Sequence, residues 1–161
     1  MNSGHMFLTI AGLILLSNLI LNVHKANTGR MIATYTSESV IDASGLAQSI
    51  IDMIQSKAFD ENTITDAAWE LDSLTAVNKL GPESGEYKHT DFDDIDDYNN
   101  YSTRISLDRM GDFDINVKVF YISFLNPKIK SSTITYSKKI ELSIINYSLL
   151  DTLKYHHIVS Y

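Results

Sequence analysis

Eighteen residues near the start of the chain, Met6–Val23 (MFLTIAGLILLSNLILNV), carry no charge. Asn18, Thr9 and Ser17 are among the few polar side chains that interrupt the run. As an α-helix this segment is roughly 27 Å long, close to the ~30 Å hydrocarbon core of a bilayer. A core helix of a soluble protein ordinarily keeps a polar face, and this one has almost none. Any fold for the chain must therefore provide an apolar environment for this helix.

Four environments compete: a cleaved secretory signal, a single-span anchor, a helix that passes from the membrane into the core of a polymer, and a fully buried helix. A signal peptide calls for a basic start and a small-x-small cleavage site. The first five residues, MNSGH, hold no Lys or Arg, and Asn22–Ala26 offers no A-x-A. Lys25 and Arg30 follow the segment and nothing basic precedes it. Taken alone, the positive-inside rule places the C-terminal part on the cytoplasmic side, against an exported domain.

The helical pattern continues past the apolar run without a proline. From Ala26 to Ser49 small residues are dense, a composition that lets helix backbones approach closely. Val40, Ile41, Ser44, Ala47, Ile51, Ile54 and Ala58 recur at the spacing of an amphipathic stripe, widened by Leu46, Ile50 and Met53. A single helix from Gly4 to Phe59 would be about 80 Å long, the length of a span or an assembly element rather than of an ordinary globular helix. Gly29 and Gly45 each cost about 1 kcal/mol against Ala in a helix interior, so a break near Ala26–Arg30 is the alternative.

The remainder is one modest domain's worth of a 161-residue chain. Residues 60–102 read as a loop region. Within it, Thr65 or Asp66 caps a short helix over 65–77, with Ala67, Ala68, Leu71, Leu74 and Val77 on one face and Trp69 as a packing anchor. Gly81-Pro82 stops that helix. Between Glu83 and Asp97 seven acids stand against one Lys, and Asp91, Asp93, Asp94, Asp96 and Asp97 fall within seven positions. Clustered oxygen ligands on a loop suit Ca²⁺, although the spacing is not that of an EF-hand. The other reading is a solvated acidic loop, with Phe92, Ile95 and Tyr98 turned inward and the acids outward.

Residues 103–161 read as four antiparallel strands. TRISL (103–107) alternates. Phe113, Ile115, Val117 and Val119 share one face of the next strand, and the alternation blurs after Phe120, as at a bulge or where both faces are buried. Asn126-Pro127 marks a turn, 133–145 forms the third strand and 154–161 the last. His156 and His157 are adjacent on a strand and point to opposite faces, so they do not chelate one ion together. The fold class is thus α+β: a long N-terminal helix, apolar over 1–25 and amphipathic over 26–59, packed by a small antiparallel sheet.

Composition narrows the function. A net charge of −7 argues against nucleic acid as a partner, since phosphate binding depends on Lys and Arg. No cysteine is present, which removes disulfides and thiolate chemistry. No G-x-S-x-G, P-loop, G-x-G-x-x-G or H-E-x-x-H occurs, so catalysis is not expected.

Three stretches in order, SIIDMIQSKAFDENT (49–63), LGPESGE (80–86) and FDDIDDYN (92–99), followed by a strand-rich tail, resemble the minor pilin-like subunits of the MSHA type IV pilus, the MshD-like prepilins, and related pseudopilins. The resemblance covers about a third of the chain. It implies a type IV pilin fold and a structural role in a pilus-like or pseudopilus filament. The homo-oligomer would form through the apolar helix, here Phe7, Leu8, Ile10, Leu13, Ile14, Leu15, Leu16, Leu19, Ile20 and Leu21. It also implies residence in the inner membrane before assembly by pilus or type II secretion-like machinery, then display at the cell surface, with no cofactor.

Prepilins of this kind carry a basic leader, a Gly at the processing site and a Glu five residues later. Here the candidate processing site is Gly4–His5, and Thr9 stands where the Glu would be. Without that carboxylate, subunits cannot register through it, but no carboxylate has to be buried in a filament core either. The alternative function is a membrane-anchored extracytoplasmic binding or adhesion domain that depends on Ca²⁺ held by the acidic loop.

Overall fold

The computed structural model describes residues 3–64 and 70–161. Its elements are one long helix, α1 (Ser3–Gln55), and five strands: β1 (Ser102–Leu107), β2 (Gly111–Ser123), β3 (Asn126–Lys130), β4 (Ser137–Ile145) and β5 (Leu153–Ser160). The architecture is α+β, a long N-terminal helix whose C-terminal part packs on an antiparallel sheet. The chain divides into two compact units, Met1–Glu38 and Ser39–Tyr161.

In the first unit every described residue from Ser3 to Tyr35 is exposed. The helix is unbroken through Gly29, as the single-helix reading expects, and the alternative break near Ala26–Arg30 is absent. Its polar side chains turn back on their own backbone. Thr9 Oγ1 donates to the Met6 carbonyl (2.8 Å), Asn18 Nδ2 to that of Ile14 (2.9 Å) and Thr28 Oγ1 to that of His24 (3.0 Å). Such bonds satisfy polar groups without water, as an apolar surrounding requires.

In the second unit the buried face of α1 is Ser39, Ala43, Ala47, Ile50, Ile51 and Ile54. The expected stripe is correct from Ala47 onward but rotated before it: Val40 and Ile41 are exposed, and Ser39 and Ala43 take their places. The reason is close approach. Small residues every four positions bring the helix onto the sheet, where Ser39 Oγ contacts Met110 Sδ (3.4 Å) and Ser44 Oγ meets Tyr155 OH (2.8 Å). These small residues serve helix–sheet packing rather than helix–helix packing.

The sheet has five strands, one more than expected. Its order is β1-β2-β4-β5, and β3 folds back on the end of β2. The β2–β3 register shifts between Ile122 and Ser123, and Tyr121 and Ile122 are both buried there, which accounts for the blurred alternation. Rows of inward side chains follow the register. Ile115 lies opposite Ile144, Val117 opposite Leu142, Val119 opposite Ile140, and Tyr121 opposite Lys138. β4 begins at Ser137 rather than at Thr133, and β5 runs Leu153–Ser160.

Helix α1 ends at Gln55, four residues short of the expected Phe59. The chain instead extends so that Ala58 forms a parallel bridge with Asp94. Its N–H donates to the Asp93 carbonyl (3.0 Å), and its own carbonyl accepts from Ile95 N–H (3.0 Å). The expected cap and first half of the 65–77 helix (Thr65, Asp66, Ala67, Ala68, Trp69) lie outside the described residues. Its second half is not α-helical: only Leu71–Ser73 form a single 3₁₀ turn. Packing of Leu74 overrides a weak helical pattern there.

Ala43 and Ala47 have no room to grow. Ala43→Leu is expected to lower stability by about 1–3 kcal/mol in denaturant unfolding through overpacking, whereas Ile41→Ser on the exposed side of the same turn stays within roughly 0.5 kcal/mol.

Candidate functional site

The acidic loop departs most from its expected arrangement. Phe92, Ile95 and Tyr98 do turn inward, and Phe92, Tyr98 and Tyr101 stack edge to face at centroid distances of 5.0–5.9 Å. The acids do not all face out. Asp94, Asp96 and Asp97 are as buried as the aromatics, while Asp91 and Asp93 are exposed. The 3₁₀ turn Asp96–Tyr98, too tight for a helical inside–outside pattern, turns successive side chains into the protein.

What they meet is Lys138, fully buried on the inward face of β4. Its Nζ donates to the Phe59 carbonyl (2.7 Å), to Asp60 Oδ2 (2.9 Å) and to Asp96 Oδ1. That uses all three ammonium hydrogens. The Phe59 and Tyr121 rings lie 4.6 and 5.3 Å from the ammonium. The Asp60 carboxylate also accepts from Thr75 N–H, Thr75 Oγ1, Asn62 N–H and the Tyr121 hydroxyl. Burial pulls the Asp60 carboxyl upward, but its bonds to Lys138 and Thr75 outweigh that and hold it below the usual range.

Asp94 is the opposite case. Burial, then the neighbouring Asp96 and Asp97, push its carboxyl up to about 9. Its Oδ1 accepts from Asp97 N–H (3.1 Å), whereas its Oδ2, like Asp96 Oδ2, is buried with no partner among the described residues. Burial beside two acids thus favours the protonated form of Asp94. Lys138 was legible in the sequence: counting back by twos from Ile144, Leu142 and Ile140 reaches it on the inward face.

Asp97 turns elsewhere. Its Oδ2 accepts from the N–H groups of Asp93 (3.0 Å) and Asp94 (3.1 Å), and its Oδ1 finds no partner among the described residues. A carboxylate oxygen of Asp97 lies within 4.8 Å of ones from Glu83 and Glu86. Of the five expected calcium ligands only Asp97 joins this group. Asp94 and Asp96 belong to the Lys138 network, and the Asp91 carboxylate accepts from Lys88 N–H and Thr90 Oγ1. Glu83 and Glu86 were outside the expected set because they sit on a separate turn.

The apolar-helix residues Phe7, Leu8, Ile10, Leu13, Ile14, Leu15, Leu16, Leu19, Ile20 and Leu21 are all exposed in the first unit, and Gly4 and His5 lie within α1. This is one helix long and apolar enough to cross a membrane, with an 18-residue window of mean hydropathy 2.1 and no residue of that window buried. It is a candidate membrane anchor. His157 meets Gln55 while His156 faces Glu141, so the two histidines do point apart. No protein-family model matches the chain, and no curated protein or solved structure matches it either.

Two outcomes test the buried network. Lys138→Met strands two buried carboxylates and is expected to cost about 3–5 kcal/mol in denaturant unfolding. In pH scans, the raised Asp94 contributes stability that is fully present below its unfolded value near 3.8 and is lost as pH rises through about 9. The lowered Asp60 works in the other direction, its contribution being lost as pH falls through its folded value. The Tm should therefore fall between about pH 5 and pH 9, and Asp94→Asn, which keeps a donor toward Asp96, should shallow that slope. An unchanged slope would count against a raised Asp94 carboxyl.

Proposed function

We propose that the chain is a structural subunit of a type IV pilus-like or pseudopilus filament, assembled through its apolar helix and displaying the sheet domain. One observation carries this reading: the helix that presents Phe7–Leu21 to its surroundings continues without interruption to become the core helix of the folded domain. An anchor alone needs only a flexible tether. An assembling subunit would carry its polymerising surface and the core of its displayed domain on one helix.

The membrane is the first environment of the helix and the filament interior the second. Both are apolar, and the internally bonded Thr9 and Asn18 suit both. Thr9, in place of an acidic residue, means that apolar packing rather than a charge pair drives assembly. The ordered resemblance of KAFDEN, LGPESGE and FDDIDDYN to minor pilins supports the same reading. On this reading the subunit resides in an inner membrane first and in a surface filament afterwards, with copies of itself and an assembly machine as partners. A membrane-anchored, cation-dependent binding domain is the second reading, favoured by the convergence of Glu83, Glu86 and Asp97.

An aspartate at Leu15 or Leu16 costs about 3 kcal/mol at the centre of a membrane helix. Leu15→Asp is expected to abolish incorporation into filaments, scored by electron microscopy of sheared cell-surface material. The near-ultraviolet circular dichroism of the sheet domain should stay unchanged. Normal filaments from this variant would refute the assembly role of the helix.

A further inference from the structure

We infer that Glu83, Glu86 and Asp97 form a calcium site, which clamps the 81–86 turn to the 92–98 segment. The inference is independent of the filament reading. Three carboxylate oxygens from two separate stretches of chain lie within 4.8 Å of one another. Oxygens on opposite sides of a Ca²⁺ are separated by about 4.8 Å, twice the ~2.4 Å ligand distance, so three oxygens this close together are within the spacing of ligands to one ion. Mg²⁺ requires a tighter, octahedral shell and fits this spacing less well. No His or Cys takes part, which disfavours zinc.

The second observation is Asp97 itself. It is 1% exposed, and two backbone amides fix its Oδ2. Its Oδ1 is buried with no partner among the described residues. A buried carboxylate oxygen without a donor costs free energy unless a cation or a proton meets it. The partners within reach are other acids. Glu83 N–H donates to Glu86 Oε2 (3.0 Å), so the turn curls both glutamates toward Asp97. Gly85, at φ +120°, supplies the backbone conformation that this curl requires.

The charge around the site points the same way. Glu61 is raised by burial and then by Asp93 and Glu86, so two more carboxylates lie close by. Among the described residues no basic side chain forms an ion pair with any of these five acids. Lys138, the one buried cation nearby, is already saturated.

The test is Ca²⁺ binding to the full chain in detergent micelles at neutral pH. Isothermal titration should give one Ca²⁺ per chain. Saturating Ca²⁺ should raise the Tm by about 10 °C over EDTA, with a smaller rise in Mg²⁺. The double variant Glu83→Gln/Glu86→Gln should lose the heat and the Tm shift. In EDTA its Tm should match or exceed that of the parent, because the repulsion is gone, which separates loss of the site from loss of the fold. Asp91→Asn should keep the full response. No Ca²⁺ heat with the parent chain, or a response that survives in the double variant or disappears in Asp91→Asn, would overturn the assignment.

Discussion

The sheet domain depends on one buried cation. Lys138 sits where the sheet's inner layer would otherwise hold an aliphatic side chain, and burying its charge unpaired would be prohibitive. It is tolerated because each ammonium hydrogen has an acceptor: the Phe59 carbonyl, Asp60 and Asp96. These acceptors come from the exit of the long helix and from the acidic loop, 78 and 42 residues away in sequence. The helix exit and the acidic loop are thereby fixed to the sheet in one geometry. A hydrophobic residue at 138 would pack as well but would not select which loop docks there, or in which register. Asp94 extends the same logic by one step, because holding a proton lets a second acid be buried beside Asp96 without a second cation.

Much of the fold was legible in the residues. The period-2 runs Phe113–Val119 and Ile140–Ile144 specify strands whose inner faces meet in register. The uncharged run Met6–Val23 specifies a helix with nothing polar to show. Local pattern failed where a distant residue decides the outcome. Five aspartates in seven positions read locally as a solvated loop or a calcium loop, yet three are buried because Lys138 and the loop's own amides receive them. The rotation of the α1 stripe has a similar origin. Val40 and Ile41 are the more apolar choices, but only Ser39 and Ala43 are small enough for the distance at which the helix meets the sheet.

The same helix also carries two chemistries in succession. Up to Tyr35 it exposes its whole circumference and folds its hydroxyl and amide side chains onto its own carbonyls. From Ser39 it contributes a narrow face of small and β-branched residues to a mixed core. The acidic groups Glu83, Glu86 and Asp97 lie in the sheet domain and are available whichever role the helix serves.

The dependence of the loops on Lys138 is measured most directly by native-state hydrogen exchange of the full chain. If the ammonium welds the helix exit and the acidic loop to the sheet, the amides of Ala58, Ile95 and Asp97 will exchange only in the opening that also exposes Val119 and Leu142. Their opening free energies will then coincide. If Ala58, Ile95 and Asp97 exchange orders of magnitude faster than the strands, the loop is only resting on the sheet and the central role given to Lys138 is wrong.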